Sequence, residues 1–225
     1  MKLAYCLLPV LLAATGPGLD ARSPEQTAGR IAMAAGYLDF HKVGHIEFAF
    51  HARIGDKNVE RSWIWWPATD RVRFEPTAGK PVTYFRDHLS DATPAILREI
   101  DQNFVNDSYW LIFPFKVVWD RTVTLEGIEP ENHTAGIEAS GGLRVVYPED
   151  AGYTPGDVYE VYYDDDFLIT HWVFRKGGGP EPSRITEWTN YQAIGPLTLS
   201  LDRPGYRDDA FRVWFSDVRV KYSLE

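Results

Sequence analysis

From Gly44 the chain alternates. In the stretch HIEFAFHARI, Ile46, Phe48, Phe50, Ala52 and Ile54 fall on one side, and His45, Glu47, Ala49, His51 and Arg53 on the other. That two-residue period predicts a half-buried β-strand. Gly55-Asp56-Lys57-Asn58 reads as a turn into a second strand, VERSWIWW, and DRVRFE and PVTYFR follow at short spacing. Such a meander predicts antiparallel pairing. Beyond residue 120 strands predominate: RTVTLEGI, GGLRVVY, DVYEVYY, FLITHWVFR, RITEWTNYQAI, PLTLSLD and FRVWFSDVRVKY. Asp164-Asp165-Asp166 is the expected hairpin turn between DVYEVYY and FLITHWVFR. In the last strand Phe211, Val213 and Phe215 share a parity that Val218, Val220 and Tyr222 do not. One extra residue near Ser216-Asp217 restores the register, so a β-bulge that bends the strand is expected there.

Two segments carry a helical period. Ser23 can cap the first, Pro24 suits its first position, and Gln26 completes a capping box. Ala28, Ile31, Ala32, Ala35 and Leu38 then form a small apolar face fit to lie against a sheet. The second starts at Thr93-Pro94, with Ile96, Leu97, Ile100 and Phe104 as its stripe and Arg98, Glu99, Asp101 and Gln102 opposite. The aromatic stretch NDSYWLIFPFKVVWD, residues 106–120, comes directly after it. Asn106 and Asp107 are expected to turn the chain, Pro114 to break it, and Trp110, Phe113 and Trp119 to pack between helix and sheet. The sum is an α+β fold: a large curved antiparallel sheet, an open half-barrel, with helices lidding its concave face.

Composition narrows the setting. Of the 225 residues, 1–21 have the form of a secretory signal: Lys2, an apolar run over 3–14, then Gly18 or Ala21 as the cleavage position. The run is shorter than the roughly 20 residues a membrane span needs, and Pro114 and Lys116 interrupt the aromatic stretch. The mature chain, 22–225, is expected to be a single domain without a transmembrane segment, periplasmic or secreted. Cys6, the lone cysteine, lies in the signal, so disulfides and thiol chemistry are excluded from the mature protein. A net charge of −9 makes nucleic acid and anionic membrane surfaces poor partners.

Candidate chemistry is sparse. His45 and His51 share a strand face but stand about 20 Å apart along it, and the remaining histidines have no metal-ligand spacing. Asp164, Asp165 and Asp166 lack the glycine and glutamate of a calcium loop. No nucleophile elbow, dinucleotide fingerprint or P-loop occurs. No catalytic residue, metal or cofactor is therefore expected. What stands out is aromatic content, 14% of the chain with eight tryptophans. Several strands are apolar on both faces: Trp63 and Trp65 against Ile64 and Trp66, Tyr159, Val161 and Tyr163 against Val158 and Tyr162, Trp172 and Phe174 against Ile169 and Val173. Such a sheet must be covered on both sides. An aromatic concave face under helices leaves an apolar pocket, and Trp65, Trp110, Phe113, Trp119, Tyr163, Trp172 and Trp214 are its expected lining.

NDSYWLIFPFK (106–116), YTPGDVYEVYYDDDFLITHWVFR (153–175) and RITEWTNYQAIGPLTLSLD (184–202), in this order after a helix and four strands, resemble a family of uncharacterised exported bacterial proteins related to the outer-membrane lipoprotein carrier (LolA/LolB-like) fold. The resemblance implies a lidded half-barrel that binds a hydrophobic small molecule, an acyl chain or a lipidated protein without catalysis. It gives no position here for the arginine that holds the carriers' lid. Two other classes stay open: an enzyme acting on a glycan or lipid in the same cavity, for which Glu160 and His171 on the central hairpin are the first residues to inspect, and a carbohydrate-binding module, which would present a flat, exposed aromatic strip.

Overall fold

A computed structural model describes residues 22–134, 136–149 and 155–223; the expected signal, 1–21, lies outside them. The strands are β1 (Val43–Ile54), β2 (Lys57–Trp66), β3 (Arg71–Glu75), β4 (Val82–Phe85), β5 (Thr124–Ile128), β6 (Gly141–Val146), β7 (Val158–Tyr163), β8 (Ile169–Arg175), β9 (Arg184–Glu187), β10 (Thr189–Ile194), β11 (Leu197–Gly205) and β12 (Asp208–Tyr222). They form one 12-stranded sheet in the order β4-β3-β2-β1-β12-β11-β9-β8-β7-β6-β5, with β10 paired to β11 off this path. The pairing is antiparallel. The sheet does not close, which makes it an open half-barrel, and two α-helices, α1 (Pro24–Ala34) and α2 (Ala95–Trp119), accompany it.

The bulge falls where the sequence places it. Glu47 faces Arg219 and Ala49 faces Ser216, so β12 carries one residue more than β1 across this step. Asp217 takes it up with φ of 53°. Phe211, Val213, Phe215 and Val220 are all buried as a result. The α1 capping box is also present, with Gln26 N–H donating to Ser23 Oγ at 3.3 Å and Ser23 N–H to Gln26 Oε1 at 3.0 Å.

The structure corrects three expectations. First, α1 stops at Ala34, and Gly36 turns the chain with φ of 99°. A Cβ there would collide with the Pro196 carbonyl oxygen, so only glycine fits. Leu38 is thrown outward, 70% exposed, and Phe40 packs inward on Phe115 and Trp119 instead. Second, the expected single strand 184–194 is two, because Trp188 swings into the core, 4% exposed, and divides β9 from β10. Third, and most important, residues 106–119 continue the second helix. Asn106 and Asp107 are mid-helix, and the helix kinks at Ile112 (φ −115°, ψ 22°), two residues before Pro114. Proline removes an amide donor and crowds the preceding turn, and a local kink relieves both.

The core follows from this geometry. On one side of α2, Phe104, Leu111, Ile112 and Phe115 join Ile46, Phe48, Phe50, Trp63, Trp65 and Phe215. On the other, Phe113 and Val117 join Ala28 and Ile31 of α1 with Leu143, Val145, Val161 and Trp172. The opposite, convex face of β6–β8 has its own cover: Ile137, from the segment between β5 and β6, packs on Tyr162 and Val173. Among the described residues no helix is long and apolar enough to cross a membrane.

Candidate functional site

Helix α2 is fastened to the concave face by buried carboxylates. Asp107, fully buried, accepts two hydrogen bonds of 2.6 Å from Arg61 (Nε and Nη2) and one of 2.9 Å from Trp63 Nε1. One turn and a half earlier, Asp101 accepts from Arg86 Nε at 2.7 Å and from Tyr84 OH at 3.1 Å. Bidentate arginine–carboxylate pairs fix orientation as well as distance. This explains why an Asn-Asp pair that reads as a turn signal stays helical. Its carboxylate takes its partners from β2 rather than from the local backbone that an aspartate in a turn would bond.

Two half-open cavities with lining residues in common run beside the helix. The first, about 240 Å³, lies between Trp110 and the strand residues Phe50, Val59, Phe211 and Val213. The second, about 390 Å³, follows one face of α2, where Gln102, Asn106, Tyr109, Lys116 and Asp120 recur at helical spacing. Tyr147, Tyr159 and Phe174 form its far wall, and Arg86 stands at its rim. Asn106, Trp110, Trp172 and Phe174 line both spaces. Trp110 and Trp172 meet edge to face, with ring centroids 4.1 Å apart.

The second cavity also carries polar groups, Arg86, Gln102, Asn106, Lys116, Asp120 and Asp157 among them. Tyr109 OH and Tyr147 OH share a hydrogen bond of 2.9 Å. Burial pushes Tyr109 well above the usual phenol range and Tyr147 up to about 12, so both are neutral donors at physiological pH. Lys116 is the odd residue. Burial, and then the nearby Arg86 guanidinium, bring its ammonium down to about 8. Its Nζ lies 5.9 Å from the centroid of the Trp65 ring.

Of the seven residues expected to line a cavity, Trp110 and Trp172 do so. The other five are placed elsewhere. Phe113 is fully buried between Tyr109, Trp172 and Trp188. Trp119 packs on Phe40 and Phe115. Trp65 is buried against Phe40 and Phe104, its indole N–H donating to Asp70 Oδ1 at 3.2 Å. Tyr163 stacks on Phe167. Trp214 stands on the far side of the sheet, stacked on His51 at 5.1 Å, because it has the opposite parity to the buried Phe211, Val213 and Phe215. The lining residues missed from the sequence are Tyr109, Tyr147, Tyr159, Phe174 and Lys116. The α2 members would have emerged had the aromatic stretch been read with a helical period.

Glu160 and His171 also face away from α2. Glu160 accepts from Arg175 Nε at 2.8 Å, Arg144 Nη2 at 2.9 Å, Thr134 Oγ1 at 2.8 Å and Tyr162 OH at 3.0 Å. Burial alone would raise its carboxyl; the hydrogen bonds from Arg175, Arg144 and Thr134 outweigh burial and bring it down to about 2. It is a permanent anion, unfit to donate a proton near neutrality. Asp164 accepts from the backbone amides of Asp166 and Leu168, which makes it the organiser of its hairpin turn.

No model of a known protein family matches this chain, and no curated protein matches it significantly. Among solved structures it is similar to a DUF1329 family protein from Desulfovibrio piger, at 14% identity and a TM-score of 0.46, over 90% of this chain and 93% of that one. It is also similar to a candidate outer membrane lipoprotein-sorting protein domain from Vibrio parahaemolyticus, at 11% identity and a TM-score of 0.47, over 89% of this chain and 93% of that one. These are the kinds of protein the sequence resembles. At such identities and scores the likeness carries nothing about ligand or activity.

Proposed function

We propose that this protein is a non-catalytic carrier of an apolar or amphipathic, lipid-like ligand, held in the cavities along α2, and that it works in the periplasm or outside the cell. The observation that carries this reading is the pair of half-open cavities along α2 that share Asn106, Trp110, Trp172 and Phe174 as lining. They are walled by aromatic side chains, and the larger, about 390 Å³, falls within the roughly 300–1,000 Å³ of small-molecule sites. The helix over the space is held by buried ion pairs at two points, Asp101 and Asp107, rather than by apolar packing alone. Such a lid keeps its register while a ligand slides beneath it. The acyl chain of a lipidated protein would suit the same walls.

Native mass spectrometry tests this reading. Protein exported by a bacterial host and purified without detergent should retain an adduct of fatty-acid or phospholipid mass. The adduct should be lost in Trp110→Ala, which removes one of the side chains common to both cavities. A bare polypeptide mass that stays bare after incubation with lipids would overturn the proposal.

A further inference from the structure

The carrier reading leaves open what the polar end of the ligand is, and the electrostatics of the larger cavity address that question. We infer that the ligand is an acyl amphiphile with an anionic oxygen head, and that Lys116 receives the head. This rests on the carrier reading and adds the chemical class of its ligand.

Three observations support it. Lys116 sits on the cavity-facing stripe of α2, four residues before Asp120, at the part of the wall where Arg86 also enters. Its ammonium has no hydrogen bond or ion pair among the described residues, and the nearest specific contact is the Trp65 ring. The acids around it are engaged elsewhere. Asp101 accepts from Arg86 and Tyr84, Asp70 from Trp65 and Arg86, and Asp120 from the backbone amide and hydroxyl of Thr122. A part-buried ammonium with no direct hydrogen bond or ion pair is costly, and chains normally pair such a group or place it in water. Asp70, Asp101 and Asp120 stand close enough to favour its charge but make no direct pair with it among the described residues, and the cavity beside it leaves room for an anionic oxygen that does.

The rest of the wall fits a tail. Tyr109, Tyr159, Trp172 and Phe174 offer apolar ring surface continuous with the smaller, more apolar cavity. Asp157, the other acid on the wall, is bonded to the Gly177 amide and keeps a negative field at that end. Lys116 and Arg86 are the cations among the lining residues, and an anionic head is drawn to them and away from Asp120 and Asp157. A neutral ester or alcohol head would leave the ammonium without a direct partner.

The test compares heads on one tail. Oleate, 1-oleoyl-lysophosphatidate and methyl oleate are titrated against the full protein at pH 7 with tryptophan fluorescence as readout, with acetate and inorganic phosphate as head-only probes. Oleate and the lysophosphatidate are expected to bind about tenfold or more tighter than methyl oleate, the scale of one charge-assisted hydrogen bond. In Lys116→Met the three affinities should converge, with methyl oleate changed less than about twofold, and Lys116→Arg should restore the preference. Equal binding of acid and ester by the unmodified protein overturns the inference and leaves the carrier reading standing. So does a parallel loss of all three in Lys116→Met. Saturable binding of acetate or phosphate alone would make this an anion site rather than an amphiphile site, which also overturns it. No binding by any acyl probe overturns the inference and the carrier reading together.

Discussion

Two buried carboxylates, one on each side of the same sheet, are held by arginine. Glu160, on the convex face, is gripped by Arg144 and Arg175. The groove beside it, about 250 Å³, is lined by those same two arginines, whose charge is already engaged. Asp107, over the concave face, is gripped by one arginine alone, Arg61, through two hydrogen bonds of 2.6 Å. What differs is the surroundings. Within the same helix as Asp107, one face borders unfilled aromatic volume and carries Lys116, which has no direct ion pair among the described residues. On the convex side the carboxylate itself is fully engaged, by Arg144, Arg175, Thr134 and Tyr162. The concave one holds a helix in place above space that the chain does not fill. Buried ion pairs alone do not mark a functional site; unfilled volume and a cation without a direct partner beside them do.

The contrast can be broken at its strongest points. Asp107→Ala should be the most damaging single change to the lid. It leaves Arg61 and the Trp63 indole without their acceptor at a fully buried position, a loss of about 3–5 kcal/mol by the usual cost of orphaning a buried charge. Urea unfolding measures it. A loss below about 1 kcal/mol would mean that α2 is not fastened through this pair.

Glu160 comes next, through pH. Its folded value, about 2, lies below that of an unfolded glutamate. The stability it contributes is therefore present above pH ~4.5 and lost as pH falls toward 2, an amount of order 3 kcal/mol. Glu160→Gln should abolish that acid-range dependence, measured as the urea midpoint between pH 5 and 2. An unchanged slope in the variant would show that other carboxylates carry it.

Lys116 sharpens the comparison from the opposite sign. Its folded value, about 8, is below that of a free lysine. Below pH 8 the folded state holds the charged amine at a cost, and the cost is relieved as pH rises from 8 toward about 10.5. The charged groups that act on the amine are Arg86, Asp70, Asp101 and Asp120. Lys116→Met should therefore stabilise the ligand-free protein at pH 7 by about 1–3 kcal/mol, and the gain should shrink at pH 10. A destabilised variant would mean that the lysine is structural.

How much of this was legible depends on where the deciding partner lies. The two-residue period of β1, the capping box at Ser23 and the register defect at Asp217 are local signals, and each is found in the structure. The continuation of α2 was not legible. Asn106-Asp107 and Pro114 read as stop signals along the chain, and they are overruled by Arg61 and Trp63, more than forty positions earlier. Trp110 and Trp172 could be chosen as aromatics. Lys116 could not, because a single lysine in an apolar run looks like a surface interruption until the helical period turns it toward Arg86 and Asp120. The outward position of Trp214 follows from parity with Phe211 and Val213, a signal already present in the strand.

The smallest expected effect on stability belongs to Trp110, and it separates lining from core. Phe113, three residues on, is fully enclosed, and truncating such a ring costs about 3–5 kcal/mol. Trp110 touches Trp172 and Phe211 on one side and borders both cavities on the other. Its removal enlarges a space that already exists rather than opening one in packed interior. The loss for Trp110→Ala should therefore be only about 1–2 kcal/mol, while the retained adduct disappears. Urea unfolding and native mass spectrometry on the same preparation read both quantities. A loss as large as that of Phe113→Ala would make Trp110 a core residue, and the cavities beside it packing defects rather than a binding site.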